Sequence, residues 1–244
     1  MFNFLFFLAA IFQATSFDDL AHIDEKTLLV LDIDEVVITS EDHFNHPNGL
    51  PFFEQLHRNT VSQERIELAL SLATLLPKRV LIDAQFPHLL KNLQERGIRT
   101  IALTACATGP LGVIPRLEEW RINHLKSLGI DFSLSSSHFF HPCFHEGILF
   151  AGNKNKGTLL REFLEGNQFF PQHVLFVDDR LYNLKAVEAE LQALGISFTG
   201  IHYLGAEKYF KPTNEKVLRK QADTLLERGV WLSDSEVLAC EPQQ

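Results

Sequence analysis

The sequence predicts an α/β protein in which a mainly parallel sheet carries helices on both faces. Short, continuous apolar runs, each typical of a strand buried on both sides, occupy residues 28–31, 100–103 and 174–177. Helix-like segments of moderate length separate these runs, and this alternation is typical of parallel sheets. Ligands bind such sheets at the carboxyl ends of the strands. The polar residues that follow each run are therefore the first candidates for a functional site.

The remaining elements follow from apolar spacing and from glycines at the ends of helices. Gly97 and Gly129 come directly after two of the helical segments, where glycine commonly ends a helix. Helices are predicted over residues 63–76, 86–96, 116–128, 158–164, 181–194 and 214–227. Further strands are predicted over residues 130–132 and 198–203.

Two segments depart from the regular alternation. Residues 147–150, followed by Gly152 and Asn153, are predicted to form one arm and the turn of a hairpin. Residues 40–56 are rich in His, Asn, Pro and Gly, and are predicted to be irregular. The whole stretch 40–84 is longer than a connecting helix needs, so we expect a small helical, cap-like insert over the strand ends.

Composition excludes several classes of protein. The chain has 244 residues, of which 45% are hydrophobic and 22% charged, as in a globular protein of one large domain. These values exclude a mainly disordered chain and a polytopic membrane protein. The net charge of −9 would repel phosphate backbones, so we expect no nucleic-acid partner, although a small phosphorylated substrate stays compatible. Three cysteines can form one disulfide at most.

The first sixteen residues, MFNFLFFLAAIFQATS, are apolar and carry no charge. The run is too short to span a bilayer as a helix, and it fits the hydrophobic region of a secretory signal peptide. Ala14 and Ser16 are small residues at the spacing for cleavage before Phe17. This interpretation predicts a periplasmic or secreted protein comprising residues 17–244, without a stable membrane anchor. Because no Lys or Arg precedes the run, a buried N-terminal element of a cytoplasmic protein is the alternative.

The first and last candidate strand ends carry paired carboxylates. Asp32 and Asp34 follow the first apolar run, and Asp178 and Asp179 follow the run at 174–177. The first pair can bind a divalent cation or divide the roles of nucleophile and acid/base between its members. The second pair would repel itself unless a cation compensates, and Mg²⁺ prefers such oxygen ligands. An acidic turn without a function is the alternative for each pair.

Two further positions carry groups that can hold a phosphoryl oxygen. Thr104 ends the second apolar run, and its hydroxyl and the following backbone N–H groups, beginning at Ala105, are suitable donors. Lys154 and Lys156 precede a predicted helix, and either ammonium can neutralise a carboxylate or a phosphoryl group. A capping threonine and a solvated basic turn are the structural alternatives.

The order of these signals resembles the haloacid dehalogenase (HAD) superfamily. The segments LVLDIDEVV, IALT, NKG and VLFVDD are similar to its four motifs, in the same order and over most of the chain. The finer pattern is similar to an uncharacterised bacterial HAD-like family, with an organisation akin to that of secreted HAD acid phosphatases. The resemblance implies a phosphatase that uses Mg²⁺ and acts on a small phosphorylated molecule.

The resemblance also implies a role for each matching residue. Asp32 would be the nucleophile that accepts the phosphoryl group, and Asp34 would be the general acid and then the general base. Thr104 and Ala105 would bind phosphoryl oxygens, and Lys156, preferred over Lys154, would stabilise the transferring charge. Metal ligands would come from Asp32, the backbone carbonyl of Asp34, Asp178 and Asp179, with Asp179 the safer direct ligand. Asn183 would support the last of these loops.

Two other functions compete with the phosphatase. A catalytically idle HAD fold could serve as a binding protein or secreted effector. A zinc-binding protein could use His138, His141, Cys143 and His145, which lie within eight positions at spacings that suit Zn²⁺. A loop whose histidines pack against phenylalanines is the structural alternative to zinc. The substrate and the oligomeric state do not follow from the sequence.

Overall fold

The computed structural model describes residues 10–46, 49–57, 61–135, 138–210 and 212–240. Its strands are β1 (Ala10–Ala14), β2 (Thr27–Leu31), β3 (Ile38–Ser40), β4 (Arg79–Leu81), β5 (Arg99–Thr104), β6 (Phe144–His145), β7 (Ile148–Phe150), β8 (His173–Asp178) and β9 (Ser197–Tyr203). Its α-helices are α1 (Gly49–His57), α2 (Gln63–Leu75), α3 (Phe86–Glu95), α4 (Leu117–Ser127), α5 (Lys156–Gly166), α6 (Leu181–Ala193), α7 (Glu215–Arg228) and α8 (Asp234–Ala239).

The predicted α/β class is confirmed. Within the described part of the chain, seven strands form one sheet in the order β1-β9-β8-β2-β5-β7-β6, and β3 pairs with β4 separately. The pairs along the large sheet are parallel except β6 with β7. Helices α3, α5 and α6 pack against its strands. The sheet and its helices therefore form the mainly parallel α/β architecture that the alternating pattern predicts.

The centre of the sheet explains where a site can form. Every residue of β2 is buried, and the strand lies between β8 and β5, with Leu31 opposite Val177 and Ala102. Apolar side chains of these strands and of α5 and α6 form one core, which includes Val30, Phe163 and Phe176. Because the three central strands are parallel and in register, the chain leaves them at the same edge of the sheet.

The chain divides into two compact units. The first contains Met1–Val37, Leu81–Thr108 and Glu118–Ala206, and it carries the large sheet. The second contains Ile38–Val80, Gly109–Leu117 and Glu207–Gln244. The predicted insert at 40–84 contributes to the second unit, which also includes the C-terminal helices. Long-range contacts create this unit, so a local reading of the sequence could not define it.

The second unit has a core and a polar network of its own. Its buried apolar cluster joins helices α1, α2 and α7 and includes Phe44, Phe53 and Leu225. The carboxylate of Asp42 accepts hydrogen bonds from the Trp231 indole at 3.2 Å and from the backbone N–H of Asp234 at 3.0 Å. These two contacts attach the C-terminal segment to the chain that follows β3.

Three local predictions are wrong, each for a physical reason. No strand forms at 130–132 in the described structure. Ile130 and Phe132 lie in an irregular segment, and both side chains are buried. The hairpin turn lies before the arm at Ile148–Phe150 rather than after it, because Glu146 and Gly147 both adopt positive φ angles, as a tight primed turn requires. The irregular stretch at 40–56 contains most of α1, whose proline lies in the first turn, where no N–H is needed.

The N-terminal segment contributes an edge strand to the sheet. Residues 1–9 lie outside the described residues, and the signal peptide stays a prediction. Ala10 to Ala14 pair in parallel with Thr199 to Tyr203 of β9. Ile11 packs against the core, whereas 59% of Phe12 is exposed. Cleavage before Phe17 would therefore remove a paired strand.

We expect Ile11→Ala to lower the free energy of unfolding by about 1–2 kcal/mol, because it removes a partly buried side chain from the core. The neighbouring change Phe12→Ala is the control, and we expect it to alter stability by less than about 0.5 kcal/mol, since that ring faces solvent. Urea unfolding of the 244-residue chain measures both. Equal, small effects would show that the Ile11 side chain does not stabilise the folded protein.

Candidate active site

Acidic side chains converge at the carboxyl edge of the sheet. Asp32 follows β2, and Asp178 ends β8 and is followed by Asp179. One carboxylate oxygen from each of these three residues lies within 4.8 Å of the other two. The convergence follows from the register, because β2 and β8 end side by side. Among the described residues this is the one group of His, Cys, Asp or Glu with metal-binding spacing.

Lys156 provides the positive charge inside the acidic group. Its Nζ lies 2.7 Å from Oδ2 of Asp32 and 2.8 Å from Oδ2 of Asp178, and the side chain is almost fully buried. The other candidate, Lys154, pairs with Glu162 at 3.2 Å at the surface. The structure therefore brings Lys156, and not Lys154, to the carboxylates.

Local sequence places the lysine at this point. The side chain of Asn155 caps α5 by accepting hydrogen bonds from the N–H groups of Gly157 and Thr158, at 2.8 and 3.1 Å. A β-carbon on Gly157 would lie 2.3 Å from the carbonyl oxygen of Ala186, so only glycine lets the first turn of α5 approach α6 this closely. Lys156, between the cap and the glycine, is thereby held against the sheet edge.

Burial has the largest effect on the pKa values of the group. Burial raises the pKa of Asp32 well above its usual value, Lys156 opposes this, and Asp178 and Asp179 add to it. Burial also raises the pKa of Asp179 to about 6, against the lowering effect of Arg180. Burial alone would lower the pKa of Lys156, but Asp32 and Asp178 raise it overall. A cation bound by the carboxylates would favour their ionised forms.

Asp178 and Asp179 have different surroundings. Asp178 is fully buried and accepts hydrogen bonds from Lys156, from the N–H of Arg180 at 2.8 Å, and from the Asn183 amide at 3.0 and 3.1 Å. Asp179 is more exposed, and Oδ2 of its side chain lies 2.8 Å from Nε of Arg180. Most of the acceptor capacity of Asp178 is thus occupied by orienting Lys156 and the start of α6.

Asp34 stands apart from the acidic group. Its carboxylate does not belong to the metal-binding cluster, and its Oδ2 lies 3.0 Å from Nη2 of Arg121, which is buried on α4. Arg121 is not among the site residues predicted from the sequence, although its spacing carries a signal. Leu117, Arg121 and Leu125 recur at intervals of four residues, which places the arginine on the buried stripe of its helix.

The loop after β5 contains the predicted phosphate-binding positions. Thr104 is fully buried, and its hydroxyl accepts a hydrogen bond from the N–H of Cys106 at 3.1 Å. Ala105, between them, is exposed. The Thr104 hydroxyl therefore fixes the turn after β5. The N–H groups that could face a phosphoryl oxygen lie in this turn.

The histidine-rich segment does not form a metal site in the described structure. The His141 ring accepts a hydrogen bond from the N–H of Cys143 at 3.1 Å, and the His145 ring lies against Phe150. Within the described residues, no three side chains of this segment reach metal-binding spacing. The geometry agrees with histidines packed against phenylalanines rather than with a zinc centre.

Comparison with known proteins places the chain in a family. The family model described as a protein of unknown function (DUF2608) matches residues 13–238. The chain belongs to the DUF2608 family. An uncharacterized protein of Rickettsia prowazekii (strain Madrid E), RP296, is 24% identical over 228 residues, which are 88% of this chain and 83% of that protein. Other rickettsial relatives are matched over about half of their own length.

Two further similarities concern other kinds of protein. A putative outer membrane protein of Chlamydia trachomatis is 29% identical to this DUF2608 chain over 98 residues, which are 35% of this chain and 37% of that protein. A haloacid dehalogenase-like hydrolase, SP0104 of Streptococcus pneumoniae, superposes with a TM-score of 0.42 at 15% identity, over 77% of this chain and 99% of that one. In the described part of this chain, no helix has the length and apolar character needed to cross a bilayer.

Proposed function

We propose that this DUF2608 protein is a Mg²⁺-dependent phosphatase that acts on a small phosphorylated substrate through an aspartyl-phosphate on Asp32. The observation that carries the proposal is the position of Lys156, at 2.7 Å from Asp32 and 2.8 Å from Asp178, inside a buried group of three carboxylates. A nucleophilic carboxylate repels a phosphate dianion, so it needs positive charge beside it. Three of the four motif segments that resemble the HAD superfamily supply these residues.

The residues fit a magnesium ion. Asp32, Asp178 and Asp179 offer hard oxygen ligands within 4.8 Å of one another, as Mg²⁺ prefers. Burial and, to a smaller extent, the neighbouring carboxylates raise the pKa values of Asp32 and Asp179, and a bound divalent cation would favour their ionised forms. Asp32 and Asp179 would be direct ligands, since Asp178 already accepts hydrogen bonds from Lys156 and Asn183. When bound, Mg²⁺ would neutralise charge on the nucleophile and on the transferring phosphoryl group.

The side chains of this protein would carry out the two proton transfers. An oxygen of Asp32 attacks phosphorus, and the bond between phosphorus and the leaving oxygen breaks as Asp34 donates a proton to that oxygen. Asp34 then removes a proton from water, which attacks the phosphorus of the aspartyl-phosphate. Inorganic phosphate leaves and Asp32 is regenerated. Thr104 and the N–H of Ala105 would hold phosphoryl oxygens, and Lys156 would stabilise their charge throughout.

We expect the 244-residue chain to hydrolyse p-nitrophenyl phosphate in Mg²⁺ and to lose this activity in EDTA. Mg²⁺ should also raise the unfolding temperature, because it binds the folded acidic group. Asp179→Asn should diminish both effects, whereas Asp24→Asn, at an exposed turn, should leave both unchanged. Since the pKa of Asp179 is raised to about 6, protons compete with the metal, and the thermal shift should be larger at about pH 7.5 than at about pH 5.

The two readouts separate the alternatives. Absence of turnover together with a Mg²⁺-induced thermal shift would favour an idle HAD fold that serves as a binding protein. Absence of both would contradict the metal site as well as the phosphatase.

We further propose that the protein functions in the periplasm or is secreted. The uncharged apolar segment at residues 1–16 supports export, as does the similarity to a chlamydial protein described as a putative outer membrane protein. Fractionation of cells that express the tagged chain tests the location, and recovery solely in the cytoplasm would contradict it.

A further inference from the structure

The buried arginine on α4 has no part in the phosphoryl-transfer steps proposed above for Asp32 and Asp34. The Arg121 side chain is 7% exposed, and its Nη2 lies 3.0 Å from Oδ2 of Asp34, whose side chain is 47% exposed. Burial would lower the pKa of the guanidinium, but Asp34 and, to a smaller extent, the nearby Cys106 thiol in the loop after β5 raise it overall. The guanidinium carbon lies 5.1 Å from the centre of the Trp120 ring. One buried cation therefore lies beside the loops that follow both β2 and β5.

The surroundings of Arg121 are not those of an arginine that stabilises the folded protein. Nε and Nη1 of Arg121 are buried and have no hydrogen-bond partner among the described residues. Unsatisfied buried donors destabilise a folded protein, and an arginine retained for stability would use both arms of its fork. Its ionic partner is half-exposed and could be solvated by water alone. A buried, partly unsatisfied arginine beside a half-exposed aspartate therefore indicates that the contact between Arg121 and Asp34 has a role other than stabilising the fold.

The contact leaves the two oxygens of Asp34 in different situations. Oδ2 is held by Arg121, whereas Oδ1 has no hydrogen-bond donor among the described residues. A half-exposed aspartate without this contact would sample several rotamers. With Oδ2 bound to a buried side chain, the second oxygen has a defined position. Such a position is what efficient proton transfer requires.

We propose that Arg121 is a positioning residue, which fixes Asp34 so that Oδ1 delivers the proton to the leaving-group oxygen. The inference rests on the proposed phosphatase function and extends it to substrate choice. As the bond between phosphorus and the leaving oxygen breaks, the proton on Oδ1 moves to that oxygen. Alkyl phosphates depend on this step because an alkoxide is a poor leaving group. A nitrophenolate leaves without help, so aryl phosphates depend on it less.

The test compares two substrates in three variants, Arg121→Met, Arg121→Lys and the surface control Arg161→Met, whose arginine pairs with Glu165 and Glu190. For Arg121→Met we expect kcat/KM, which reports the steps up to formation of the aspartyl-phosphate, to fall about 100-fold with glycerol 2-phosphate and less than about tenfold with p-nitrophenyl phosphate. The unfolding temperature should change little. Arg121→Lys, which keeps a cation, should recover part of the loss, and Arg161→Met should match the wild type.

A double-mutant cycle tests whether Arg121 acts through Asp34. In an Asp34→Asn background, Arg121→Met should have no further effect on the ratio of the two activities. Equal losses on both substrates, a persistent effect in that background, or unfolding of both Arg121 variants would each overturn the inference and leave the phosphatase intact. A wild-type protein that is folded but hydrolyses neither substrate would overturn the phosphatase and this inference together.

Discussion

Asp32→Asn is expected to abolish phosphate hydrolysis, with a fall in kcat of at least about 10³-fold, while the protein remains folded. An amide of the same shape is not a nucleophile. It can still accept the hydrogen bond that the N–H of Ile33 donates to Oδ1 of Asp32 at 2.7 Å. The pKa of Asp32 is raised, so its ionised form is disfavoured by folding. Removing that charge should therefore cost little stability at neutral pH, since Lys156 keeps Asp178 as a partner.

Initial rates with p-nitrophenyl phosphate and thermal unfolding measure the two expectations. Asp24→Asn makes the same chemical change at an exposed turn and should keep wild-type activity. If Asp32→Asn retained a tenth or more of the wild-type rate, the nucleophile would lie elsewhere and the aspartyl-phosphate mechanism would be wrong.

Lys156→Met is expected to have the largest effect on stability, because it removes the cation from a buried group of carboxylates. Breaking a buried ion pair by deleting one partner typically costs about 3–5 kcal/mol, since the remaining charge is uncompensated. Asp32 and Asp178 would both lose the ammonium that lies within 2.8 Å. Activity should also be lost, because no cation would then stabilise the charge transferred to Asp32.

The pH dependence of the Lys156→Met variant has a definite sign. Lys156 lowers the already raised pKa of Asp32, so its removal should raise that pKa further. A carboxyl group with a raised pKa in the folded state contributes stability at low pH and loses it as the pH rises through that value. The variant should therefore be less impaired at about pH 5 than at about pH 8. Urea unfolding at the two pH values measures the difference.

Lys154→Met is the matched control for this experiment. Lys154 lies two positions earlier and is 53% exposed, and its pair with Glu162 at 3.2 Å is a surface salt bridge. Such pairs contribute about 0–1 kcal/mol, so the control should unfold close to the wild type. If the two methionine variants were equally stable, Lys156 would not be balancing buried charge, and its proposed role would be wrong.

The sequence alone indicates which residues stand at the strand ends. Asp32, Thr104 and Asp178 each lie at or directly after the end of a continuous apolar run, and Lys156 begins a helix. Parallel strands bring their carboxyl ends to one edge of the sheet, so these residues could be assigned to a common site before any coordinates were known. Helices with regular apolar spacing, such as α2 and α6, were predicted within one residue of their observed bounds.

Only the tertiary structure reveals the features that depend on contacts between distant parts of the chain. β1 pairs with β9, which lies far from it in the sequence. The apolar residues of β1 also have the composition of a signal peptide. Arg121 is 87 positions from Asp34, and a charged residue on an amphipathic helix normally faces water. Local patterns record which face of an element is apolar, but the partner of each polar group is decided by how the elements pack.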